Sequence, residues 1–138
     1  MALVRWLILV PVTLLAWFAV VCATILLYEV INKSLCPPGD IVSGSCTNDS
    51  VVLILHIWIH VAIGLSAIAV LVTAFLIAPE GKEPVVWLTL LIGSLFAIAF
   101  AAHLPLKALS CLAAAEIPAL LTTLLLVRIA RNADAAQP

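Results

Sequence analysis

Four apolar runs, each long enough to cross a bilayer, constrain this chain more than any motif it carries. They cover residues 3–31, 51–78, 85–104 and 108–129. A spanning helix needs ~20 mostly apolar residues, because lipid offers the backbone no hydrogen-bonding partner and the helix must satisfy its own groups. The stretches between the runs are too short to form a water-soluble domain. Only 9% of the residues are charged and 66% are hydrophobic, so the polar surface that a soluble domain of this size needs is missing. The expectation is an all-α polytopic integral membrane protein, a single transmembrane domain over 1–138 folded as an antiparallel four-helix bundle.

The first run has Arg5 ahead of its apolar core and so resembles a signal peptide. It continues past any plausible signal core, through Val20, Cys22 and Ile25 to Tyr28, and an uncleaved helix is expected. Trp6 and Tyr28 suit the two interfaces of a spanning helix, and Pro11 should kink it or free a carbonyl. Arg5, Lys82, Arg128 and Arg131 would share one side, with Lys33 and Lys107 on the other. The excess of Lys and Arg marks the cytoplasmic side, which places both termini in the cytoplasm and the 32–50 loop outside. A cell membrane of the bacterial inner-membrane type is the expected location. The formal net charge of −1 gives no basic field, so nucleic acid is excluded as a partner.

The 32–50 loop is turn-rich and without helix or strand periodicity. Its cysteines, Cys36 and Cys46, would lie in an oxidising compartment, and a disulfide closing the loop is expected. Paired metal-binding thiols are the alternative, disfavoured because the spacing is not C-x-x-C and no histidine is near. Asn32 and Asn48 match the glycosylation pattern but lie too close to the bilayer to be useful acceptors. In the third run Gly93, Ala97 and Ala101 fall at i, i+4 and i+8. Small residues at that spacing let another helix approach closely, within the chain, in a partner or in a second copy.

Four ionisable residues in the apolar runs are candidates for function: His56, His60, His103 and Glu116. At ~1.5 Å rise per residue all four fall in the outer half of the bundle. Ionisable groups at such depth are costly and mark functional sites by default. A structural pairing of His60 with Glu116 would satisfy both groups. The functional alternatives are a haem b or transition-metal site, a proton or quinone relay, and a partner interface. His56 and His60, one turn apart, can share a small metal ion but cannot be the opposite axial ligands of one haem, which would need His103. Cys22 and Cys111 read as small apolar packing residues.

No hydrolase, kinase or H-E-x-x-H pattern is present. The leading expectation is a non-catalytic accessory or partner-binding subunit of a membrane complex. The alternative is a cofactor-binding or proton-handling subunit.

Overall fold

The computed structural model describes residues 2–78, 81–102 and 108–135. Four helices account for nearly all of them: α1 (Ala2–Leu35), α2 (Asp49–Ile77), α3 (Lys82–Ala101) and α4 (Ala108–Ala135). All four are long and apolar enough to cross a membrane. Between α1 and α2 lie a single 3-10 turn (Pro38–Asp40) and two short strands, β1 (Ile41–Val42) and β2 (Ser45–Cys46).

The helix ends differ from the expected ones for local reasons. α1 runs to Leu35 because its last turns are occupied: Asn32 is buried under the loop, and Lys33 pairs with Glu29 at 3.1 Å. α2 begins at Asp49, two residues early, because the Asn48 side chain caps it by accepting from the Ser50 amide at 3.2 Å. α3 starts at Lys82. Pro84 sits in its first turn, where a missing N–H costs nothing. α4 extends to Ala135, past the expected end at 129, since Arg131 makes a two-pronged ion pair with Glu83 of α3, its Nε 3.1 Å from Oε2. Pro11 leaves α1 continuous.

Residue pairings fix the directions of the helices. Trp58 of α2 donates its indole N–H to the Thr24 carbonyl of α1 at 3.2 Å, while Leu9 packs near Ala74 and Ala78, so α1 and α2 run antiparallel. Ser94 meets Glu116 and Glu83 meets Arg131, which makes α3 and α4 antiparallel. His60 meets Ser110 and Gly64 meets Pro118, so α2 and α4 run parallel.

The helices do not close into a symmetric square. α2 is the hub, packed on α1, α3 and α4, whereas α1 lies chiefly along α2. One core, formed by Leu71, Phe75, Val86, Ala119, Leu126 and Ala130, joins α2, α3 and α4 towards the Glu83–Arg131 end.

The loop end has its own small core of Cys36, Cys46, Val51 and Leu55, with Tyr28 and Ile31 packed against it. The expected disulfide joins Cys36 to Cys46 across a Cα separation of 5.7 Å. The expectation of a loop without strands is corrected. β1 and β2 pair antiparallel, Ile41 opposite Cys46 and Val42 opposite Ser45, around a Ser43–Gly44 turn. Both turn residues have positive φ (52° and 83°), the two-residue turn whose twist matches a hairpin.

Asn32 locks this hairpin to α1. Its amide nitrogen donates to the Gly44 carbonyl at 3.0 Å, and its oxygen accepts from the Cys46 amide at 3.2 Å. Asp40 locks the hairpin to α2: its carboxylate accepts from the Asn48 amide at 3.0 Å, and its carbonyl accepts from the Thr47 hydroxyl at 2.9 Å. The nitrogens that a glycan would need on Asn32 and Asn48 are therefore engaged.

Candidate functional site

Because α2 and α4 run parallel, the first turn of α4 faces the middle of α2. That register brings His60 against Ser110 and Cys111. His60 Nδ1 lies 2.7 Å from the His56 carbonyl oxygen, one turn back on the same helix. A carbonyl only accepts, so Nδ1 carries a proton and donates to it, and the other ring nitrogen points towards α4. That nitrogen, Nε2, lies 3.0 Å from the Ser110 hydroxyl oxygen and 3.9 Å from Cys111 Sγ. One backbone carbonyl thus sets both the tautomer and the aim of the ring.

A turn further along the same interface the two helices come close together at Gly64. A Cβ on Gly64 would lie 3.1 Å from the Ala114 carbonyl oxygen and 3.2 Å from Pro118 Cγ. Pro118 has no N–H to offer that carbonyl in the usual helical bond. The absent side chain of Gly64 and the proline on α4 together bring His60 within reach of α4.

Glu116 is elsewhere. It lies six residues beyond Ser110, a rise of ~9 Å, and its Oε2 accepts from the Ser94 hydroxyl of α3 at 2.7 Å. His60 and Glu116 have therefore found different partners, and the pairing expected between them is replaced by two helix–helix contacts through serine. The His56 side chain is exposed; the residue serves His60 through its carbonyl. His103 lies outside the described residues. Among the described residues no three His, Cys, Asp or Glu side chains gather at metal-binding distance.

The sequence reading did not foresee Ser110 or a polar role for Cys111. Their proximity to His60 depends on the α2–α4 register, for which the only signal in the chain is the pairing of Gly64 with a proline-bearing helix. Ala97 and Ala101 are half-buried, but a Cβ on Gly93 would meet nothing within 4 Å.

A double-mutant cycle tests this partition. Ser94→Ala combined with Glu116→Leu should show a coupling of about 1 kcal/mol or more in detergent unfolding, because removing the serine alone strands a carboxyl group. His60→Ala combined with Glu116→Leu should be additive to within ~0.5 kcal/mol. The reverse pattern would restore the His60–Glu116 pairing. Comparisons of the chain with protein-family models, curated proteins and solved structures find no match.

Proposed function

We propose that the chain is a non-catalytic accessory subunit of a membrane complex. In this reading it is inserted with both termini cytoplasmic and the disulfide-closed hairpin outside a cell membrane of the bacterial inner-membrane type. The observation that carries the reading is the uneven use of apolar surface. α2 spends its surface on three neighbours, while α1 leaves most of its own uncovered, with Leu7 and Leu26 70% and 69% exposed. Between them runs an apolar groove lined by Val20, Ala23, Leu27, Leu65 and Ile68. On the far side, α3 carries the uncovered notch at Gly93, flanked by exposed Ile92, Leu95 and Phe96.

Lipid tails solvate exposed leucine well. A glycine notch between large side chains gains more from a helix that fits it, because helices in lipid associate through close packing and not through the hydrophobic effect. The internal polar groups support the same reading, since Glu116 and His60 are each engaged by a hydroxyl of the chain itself.

Photo-crosslinking in native membranes tests this. A photoreactive residue at Ile92 or Phe96, beside the notch, should give one discrete protein adduct, while one at Leu26 of α1 should label lipid. Labelling of lipid alone from all three positions would overturn the proposal, as would a hairpin cysteine at position 43 reachable only from the cytoplasmic side.

A further inference from the structure

The contact between His60 and the start of α4 holds the parts that activate a thiol. A cysteine becomes a strong nucleophile when a base stands within hydrogen-bond reach and a third group orients that base. Cys111 Sγ lies 3.9 Å from His60 Nε2, and the His56 carbonyl holds the ring from behind, 2.7 Å from Nδ1. In a neutral imidazole the one proton then sits on Nδ1, and Nε2 is the nitrogen that can take another. Contacts of this kind are often long at rest and tighten as the reaction begins. We propose that Cys111 is a modification site at which a small disulfide forms a mixed disulfide, with His60 taking the thiol proton.

Two facts choose the nucleophile and the class of reagent. Ser110 Oγ is nearer to Nε2, at 3.0 Å, but a thiol gives up its proton more readily than an alcohol, and sulfur is the stronger nucleophile. Cys111 lies in the first turn of α4, at the hairpin end of the bundle, and that end carries the Cys36–Cys46 bond. A disulfide marks an oxidising compartment, in which small disulfides are the natural reagents for a thiol. Cys111 is half-buried and Ser110 beside it is exposed, an opening that suits a reagent of few atoms.

The exchange balances without a further oxidant. His60 Nε2 takes the thiol proton as Cys111 Sγ attacks one sulfur of the reagent, and the new S–S bond replaces the reagent's own. The departing thiolate takes the proton back from His60 and leaves as a free thiol. Cys111 is thereby oxidised and one sulfur of the reagent is reduced. The chain also carries its own control. α1 and α2 run antiparallel with Trp58 at Thr24, so two residues on from each of these Cys22 lies about level with His60. Cys22 is half-buried, as Cys111 is, but among the described residues no histidine stands within hydrogen-bond reach of it. The site does not depend on the accessory role proposed above, and either can fail alone.

The experiment follows adduct formation by 2-hydroxyethyl disulfide on the full chain in mild detergent, by intact mass, with the modified residue located by peptide mapping. Cys111 is expected to react about 10-fold faster than Cys22 or more, the low end of what a positioned base contributes. In the chain unfolded in SDS and urea the two thiols should react at similar rates. His60→Gln keeps a hydrogen-bonding group but no base. It should bring the Cys111 rate down to that of Cys22 while keeping the wild-type helical circular dichroism, and Ser110→Ala should leave Cys111 the faster thiol. A Cys111 rate unchanged or raised in His60→Gln overturns the proposal, as does a Cys22 that reacts as fast in the folded wild type. An advantage of Cys111 that survives unfolding also overturns it, because the rate would then owe nothing to His60.

Discussion

Replacing Gly64 by leucine is expected to force α2 and α4 apart and to cost about 3 kcal/mol, the upper range for overpacking a close contact. The first atom of any side chain there already lies 3.1 Å from a backbone carbonyl oxygen and 3.2 Å from a proline ring carbon. Neither can swing aside, since the carbonyl belongs to α4 itself and the Pro118 ring is closed onto the backbone. Gly64→Ala is the milder probe. Alanine gains roughly 1 kcal/mol of helix propensity over glycine, and the tight contact offsets it, so a change near zero is expected. The leucine variant should show a lowered unfolding midpoint in detergent and a loosened contact between His60 and Ser110, which lies one turn away on the same interface. A leucine variant with the wild-type midpoint would show that the two helices are not held at this distance.

Breaking the Cys36–Cys46 bond is expected to lower stability by about 2.5–3 kcal/mol, the loop-closure entropy regained by the unfolded chain across a sequence separation of 10. Cys36→Ser, Cys46→Ser and the double variant should lose similar amounts, since each abolishes the same covalent link. Reduction of the wild type should reproduce the shift, and mass measurement under non-reducing conditions should show two hydrogens fewer than in the reduced chain. Asn32 and Asp40 would still hold the hairpin to α1 and α2, so the folded hairpin should persist and the loss should appear as a lowered unfolding midpoint. A midpoint unaffected by reduction would show that these hydrogen bonds alone keep the loop closed.

The four helices were legible because length and hydropathy are properties of a segment by itself, and so were the paired cysteines. The hairpin was partly legible. Ser43–Gly44 between Ile41–Val42 and Ser45–Cys46 is a two-residue turn signal, but strands of two residues are too short for alternation to show. The helix starts were also written locally, in Asn48 before Asp49 and in Pro84 within the first turn of α3. What single segments cannot carry is their mutual register. Knowing that His60 and Glu116 both lie in polar-poor helices does not say which serine each will meet. Spacing rules within each of the four helices do not separate Ser94 from Ser110. Cys111 was passed over for the same reason: in an apolar run a lone cysteine is indistinguishable from an alanine until something faces it.

The hub position of α2 has a consequence for how the chain assembles. α1 packs on α2, α2 on α3 and α3 on α4, so most helix contacts join neighbours in sequence; the α2–α4 interface is the chief exception. Contacts between sequence neighbours close small loops and form quickly. For a chain made from its N-terminus, each new helix finds the helix before it already waiting. The α1–α2 pair can be stapled by its disulfide before the rest exists. The contact that holds His60 against Ser110 and Cys111 needs α4, and is therefore completed only after the three helices before it have been delivered.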